Sequence, residues 1–198
     1  NFHTFFSKPY YMSIKVKRGS SMLGNECSMQ YRNLVTALSR RPKAMAMIKG
    51  SDRYPSVTGN AKFFEVPEGV LVAVDVCGLP SNVNRCDNPI FFFFFHEGQS
   101  CSGNMQDSFK NAMMHYNPGD CNHPYHAGDL PPIFGCDGYG FLVTMTDRFF
   151  VDEIIGKTII IHGGVDDFTS QPSGNSGEKI ACGEIGIVPQ PRTMSYRI

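Results

Sequence analysis

The sequence holds no Cys-x-x-Cys or Cys-x-Cys pair, so its cysteines read neither as a thiolate zinc site nor as a redox dithiol. It holds no Asn-x-Ser/Thr triplet, so glycosylation lends no support to secretion. No apolar run reaches the ~20 residues that cross a bilayer. The longest, Ile90 to Phe95, is one strand's worth, and no membrane partner is expected. Nor is charge of one sign in excess. The 18 basic residues balance 18 acidic ones, with no basic cluster at either end, which argues against a nucleic-acid partner.

What is present fits one domain with an appendage: 198 residues, 41% of them hydrophobic, enough to bury a core. The chain opens on Asn1 rather than Met, as expected of a processed form, and this leaves a leader peptide undecided. Seven cysteines are scattered through it: Cys27, Cys77, Cys86, Cys101, Cys121, Cys136 and Cys182. Scattered cysteines in a modest domain favour disulfides and an oxidising, extracellular compartment. Buried free thiols in a cytosolic protein are the alternative. Seven is odd, so at least one is unpaired or links two chains.

Residues 1–41 read as an N-terminal extension, 42–190 as the main domain and 191–198 as a tail. Asn1 to Tyr11 is aromatic-rich and aperiodic. Cys27 to Ser39 is the best helix candidate, with Met29, Leu34, Val35 and Leu38 near helical spacing and Pro42 as its stop. A helix packed on the main domain is preferred over a docking arm. From Lys43 onward, eight segments read as strands: Ala44–Lys49, Ala61–Val66, Val70–Cys77, Ile90–Glu97, Asp129–Phe134, Gly140–Thr146, Lys157–His162 and Lys179–Val188. Eight strands without long helices predict an all-β barrel or sandwich. Two long gaps, Gly98 to Gly128 and Gly163 to Glu178, are where function is expected.

The first gap ends in a concentration of ligands. His115, His123, His126 and Asp129 fall within fifteen residues rich in Pro, Gly and Asn. Three imidazoles and a carboxylate match the tetrahedral donor set zinc prefers, and a site closed by four protein ligands is structural rather than catalytic. Exposed loop histidines without a metal are the alternative on composition alone. His3, the one histidine far from these segments, reads as a surface residue.

Several motifs, taken together and in order, resemble the Cu,Zn superoxide dismutases. They are Phe95-His96-Glu97-Gly98 with Cys101 behind it, His115-Tyr116-Asn117-Pro118, and His126-Ala127-Gly128-Asp129-Leu130. Ile155 to His162 follows, with Asp166-Asp167 beyond, and then Gly174 to Gly183. Lys43 to Gly50 reads like that family's first strand, and the likeness runs from about Pro42 to Val188. The resemblance implies an eight-stranded Greek-key barrel. It implies that His115 lies between two metals, with His123, His126 and Asp129 completing the zinc site. It implies a Cys101–Cys182 disulfide, and that Asp166 is a carboxylate steadying metal-binding histidines.

The resemblance fails at copper. The family's His-x-His-Glu motif reads here Phe94-Phe95-His96-Glu97. His96, His115 and His162 match three copper ligands, but Phe94 stands at the fourth and offers no lone pair. Copper is therefore doubtful, zinc expected. The family's superoxide-guiding Arg is matched by Lys179, which keeps the charge and loses the planar fork. Phe168 to Ser176 carries no charge, so the steering field looks absent. The expectation is a secreted zinc-binding protein whose dismutation is weak or lost, serving in metal binding, transport or as a bulk body-fluid protein. An active dismutase with a three-histidine copper site is the alternative. Copper delivery ranks low without the cysteine pairs of the family's related chaperones.

For the remaining cysteines, Cys77–Cys86 and Cys121–Cys136 are guesses among three connectivities, with Cys27 left over. A homo-oligomer is expected. The family's usual dimer contact, through Ile154 to Gly156 and the last strand, is in doubt because Glu184 would place a charge there. The extension and altered copper site are similar to the dismutase-like proteins of mollusc haemolymph (the cavortin, dominin and pernin group).

Overall fold

The computed structural model describes residues 34–81 and 89–190. Eight antiparallel strands close into a barrel: β1 (Ala44–Gly50), β2 (Thr58–Val66), β3 (Gly69–Cys77), β4 (Ile90–His96), β5 (Ile133–Cys136), β6 (Tyr139–Thr146), β7 (Thr158–His162) and β8 (Lys179–Ile187). The order around the barrel is β1-β2-β3-β6-β5-β4-β7-β8, with β8 pairing back to β1. The expected all-β barrel is therefore the architecture.

Strand β4 explains how a run of five phenylalanines is used. Alternate residues of a strand face opposite ways. Phe91, Phe93 and Phe95 enter the core, where Phe95 meets Phe63 and Phe149 at ring distances of 5.6 and 4.8 Å. Phe92, Phe94 and His96 point out of the barrel, yet all three are buried, because the two long loops lie over them.

Strand β5 starts later than the sequence suggests. The expected Asp129–Phe134 strand begins only at Ile133, since Pro131 and Pro132 donate no N–H to a ladder. Asp129 instead forms an isolated bridge beside Phe94. The β5–β6 hairpin turns on Asp137 and Gly138, both at positive φ (50° and 77°), which is what a two-residue type I′ turn requires.

Residues 34–38 are helical. Ala37 is buried against Phe64 and Leu71, and Leu34 joins Ala73 and Met145 at the edge of that cluster. Val35 and Leu38, expected on the packed face, are exposed. The rest of the Cys27–Ser39 candidate, with Met29, lies outside the described residues, as do His3, Cys27, Cys86 and the 191–198 tail.

Cys101 and Cys182 form a disulfide across 81 residues. It ties the first long loop to β8, over a small apolar cluster of Phe109, Ala112 and Ile160. The guessed Cys121–Cys136 pair does not exist: Cys77, Cys121 and Cys136 are free and exposed. Cys121 is held in the loop by both amide atoms of Asn117 (2.9 and 3.0 Å), whereas Cys136 sits at the hairpin beside Tyr139. Cys77's guessed partner, Cys86, lies outside the described residues.

Candidate metal centre

The first loop returns alongside β4 and extends its ladder. Tyr116 N–H donates to the Phe95 carbonyl (2.8 Å), Glu97 N–H to that of Met114 (2.9 Å), and Phe95 N–H to that of Gly128 (3.0 Å). This backbone pairing sets His115 opposite His96 and Asp129 opposite Phe94. Sequence proximity alone does not place His115 at β4; the strand-like return does.

Around Asp129 three imidazoles converge. His115 Nδ1 lies 2.8 Å from Oδ1, while His123 Nδ1 and His126 Nδ1 lie 3.1 and 3.3 Å from Oδ2. All four residues are buried, and their donor atoms fall within 4.8 Å of one another. A tetrahedron with bonds of about 2.0–2.1 Å has edges of roughly 3.3 Å, so the spacing suits zinc. The Nδ1 atoms of His123 and His126 have no hydrogen-bond partner although both are buried. Buried polar atoms without partners are costly, and a cation at their common focus would remove that cost. Burial holds the His126 pKa below its ordinary value, against the pull of Asp129. Burial would raise Asp129, but the His115 hydrogen bond and the surrounding imidazoles outweigh it and keep the carboxylate ionised.

His115 also belongs to a second group, with His96 and His162. The Nδ1–H of His96 donates to the Met113 carbonyl (2.8 Å) and that of His162 to the Gly177 carbonyl (3.2 Å). These partners fix the tautomer and turn each Nε2 lone pair inward, so that the two Nε2 atoms face each other at 3.3 Å. His115 Nε2 is buried without a partner on its other side. Burial keeps both flanking imidazoles neutral. The His96 pKa lies well below its usual value, and that of His162 falls to about 4.

Phe94 is 1% exposed and sits among these histidines. Its ring centroid is 4.2 Å from that of His115, 5.5 Å from His162 and 6.2 Å from His123. Asp166 lies behind. One oxygen accepts from His123 Nε2 (3.0 Å) and from Phe168 N–H (2.6 Å), but the other is buried with no partner. Gly174 makes room for this carboxylate: a Cβ there would fall 2.0 Å from Asp166 Oδ1.

Lys179 is neutralised locally. Its ammonium donates to Asp107 Oδ2 (2.8 Å) and the Phe109 carbonyl (3.2 Å). Burial opposes ionisation of Asp107, but this lysine prevails and holds its pKa below the ordinary value.

The copper/zinc superoxide dismutase (SODC) family model matches residues 57–185. The chain belongs to the copper/zinc superoxide dismutase family. Among its relatives are "Superoxide dismutase [Cu-Zn] 2" of Aquifex aeolicus, 33% identical over 65% of this chain and 79% of the relative. The superoxide dismutase [Cu-Zn] of Deinococcus radiodurans is 33% identical over 67% and 79%. The solved copper/zinc superoxide dismutase from Brucella abortus shares the fold, with TM-score 0.59 and 24% identity over 71% of this chain and 98% of that one.

A superoxide dismutase of this family is associated with copper and zinc, and the residues present offer one four-donor and one three-donor group. Three supports of this dismutase-family centre escaped the sequence reading. Gln171 clasps the His123 backbone, accepting from its N–H (3.0 Å) and donating to its carbonyl (2.9 Å). Arg148 donates to the His126 and Asp129 carbonyls (2.9 and 3.3 Å). Asp107 holds Lys179. None carries a spacing signal, because each acts on backbone or charge brought near only by folding.

Proposed function

We propose that this chain is a secreted, zinc-holding member of the family in which copper-dependent dismutation is weak or lost. His115, His123, His126 and Asp129 would hold the zinc as a structural tie, and Asp166 and Gln171 would orient His123. Copper, when bound in this family's second position, supplies one-electron chemistry. Here His96, His115 and His162 would be its residual ligands, crowded by the Phe94 ring.

The observation that carries this reading is Phe94, buried among His115, His162 and His123. A buried aromatic ring occupies the three-histidine pocket, and one oxygen of Asp166, the carboxylate that holds His123, is buried and accepts nothing. An imidazole at position 94 would present an N–H where phenyl presents none. The quenching of Lys179 by Asp107 adds to it, since an ammonium already paired draws an anion weakly. Metal binding or transport, or service as an abundant body-fluid protein of the mollusc haemolymph kind, would suit such a scaffold. The Cys101–Cys182 disulfide fits an oxidising compartment. Self-association that avoids the usual dimer patch is part of the same reading. Sizing with and without reductant tests it, including any link through Cys27.

Metal analysis of the purified protein with a superoxide assay is the decisive experiment. The reading expects about one zinc per chain, little retained copper and negligible activity, with copper uptake rising in Phe94→His. Stoichiometric copper with strong dismutation in the wild type overturns it. That result would favour an active enzyme on a three-histidine copper site, the reading supported by the two Nε2 atoms facing each other at 3.3 Å.

A further inference from the structure

The two donor groups differ in charge as well as in the number of ligands. The four-donor group contains Asp129. Among the described residues, the group of His96, His115 and His162 contains no carboxylate. Lys179 and Asp107 both act on His162 but cancel each other in their 2.8 Å pair. A cation among these three imidazoles would therefore meet only neutral donors, all of them buried. Taking an ion out of water costs more steeply the higher its charge, so a dication without an opposing charge is disfavoured there. A dication at Asp129 would add repulsion through the shared His115 ring, twice as strong against a second dication as against a monocation.

The donors also fall short for the common dications. Cu(II) takes a tetragonal set of nitrogen and oxygen donors, and zinc on three histidines keeps a further position for water. Here that side of the pocket is carbon. Phe94 is buried, its ring 4.2 Å from that of His115 and 5.5 Å from that of His162. What remains is a set of lone pairs. The Nδ1–H groups of His96 and His162 are committed to backbone carbonyls, so their Nε2 lone pairs oppose each other at 3.3 Å, a repulsion that a cation between them removes. His115 Nε2, buried without a partner, belongs to the same group. The filled d shell of Cu(I) imposes no tetragonal geometry, and a few imidazole nitrogens satisfy it. On the segment that delivers His115, Met113 and Met114 are exposed thioethers, soft donors that also suit Cu(I).

We propose that the group of His96, His115 and His162 is a site for a soft monovalent cation, Cu(I), and that Phe94 is the residue that sets this preference over Cu(II) and over a second zinc. The inference rests on the reading that copper-dependent dismutation is weak or lost, and gives that loss a cause: copper supplied to this pocket is held in one oxidation state.

Metal competition on the zinc-loaded full chain tests this without a variant. Accessible thiols, Cys77, Cys121 and Cys136 among them, are alkylated first, because free thiols also bind Cu(I). Cu(I), supplied anaerobically as its acetonitrile complex and competed with bicinchoninate, should bind more than about tenfold tighter than Cu(II) competed with glycine. Excess zinc should not fill the pocket. In His162→Gln the Cu(I) binding should be lost while zinc content holds. In Phe94→His the gap between the two copper ions should close, with a tetragonal Cu(II) signal by electron paramagnetic resonance that the wild type lacks. Cu(II) or a second zinc held as tightly as Cu(I) overturns the proposal. So does Cu(I) binding that survives in His162→Gln, which places the ion elsewhere. If neither copper ion binds, the proposal falls while the loss of dismutation stands; strong dismutation by the wild type sinks both.

Discussion

The two donor groups that share His115 are built differently, and they differ in what disturbs them. The four-donor group comes from one loop. His115, His123, His126 and Asp129 are neighbours in sequence, gripped by Arg148 and Gln171 through backbone atoms. The three-donor group gathers β4, the loop and β7, and its pocket is walled by outward residues of β4. Changing one outward strand residue fills that pocket, while the loop group keeps every donor. A site held by local chain thus tolerates drift in the barrel wall; a site made from the wall does not.

The sharpest break in this comparison is expected from Asp129→Ala, which removes the carboxylate that all three imidazoles surround. Zinc affinity should fall by more than about 100-fold, whereas His96→Ala should leave zinc content unchanged; metal titration of both variants reads this. Next in size is the tie between loop and barrel. Replacing Cys101 by Ser, with Cys182→Ser beside it, should cost roughly 4 kcal/mol in the chain-entropy description, seen as a lower denaturant midpoint with the β-sheet spectrum retained. A third test uses pH on metal-free protein. His162 is neutral when folded, with its pKa depressed to about 4, against 6.5 for an ordinary histidine. The unfolded chain therefore takes up the proton first, so this contribution is intact above about pH 6.5 and lost as pH falls toward 4. Denaturant midpoints across that window should decline, and His162→Gln should flatten the slope. Gln171→Ala should be milder, about 1 kcal/mol for two backbone hydrogen bonds partly replaced by water, with some loss of zinc affinity. Smallest is Asp107→Asn, which loosens a half-buried surface pair worth about 1 kcal/mol or less and should leave thermal stability nearly unchanged.

Much of the barrel was legible in the sequence because alternation and turn residues mark strands directly: seven of the eight expected segments overlap the observed strands with small shifts at their ends. Asp129–Phe134 overlaps β5 only at its end, because the proline pair outweighed the apolar alternation. The loop donors were legible because they crowd one short stretch. Phe94 could be placed only through the resemblance, since nothing in a run of phenylalanines says which one faces a histidine. The lone oxygen of Asp166, the grip of Arg148 and the Lys179–Asp107 pair were not legible at all. They depend on which atoms meet after folding, and no residue pattern encodes that. The guessed Cys121–Cys136 pair failed for the same reason.

Strand β4 has a consequence for anyone who would redesign this protein. Its backbone is a partition wall: one side lines the oily interior through Phe91, Phe93 and Phe95, the other presents Phe94 and His96 to the ligand pocket. Truncating Phe95 to relieve or repack the interior would let the partition sag, carrying the neighbouring imidazole with it. Engineers seeking heat resistance and engineers seeking a new metal would be adjusting the same seven residues.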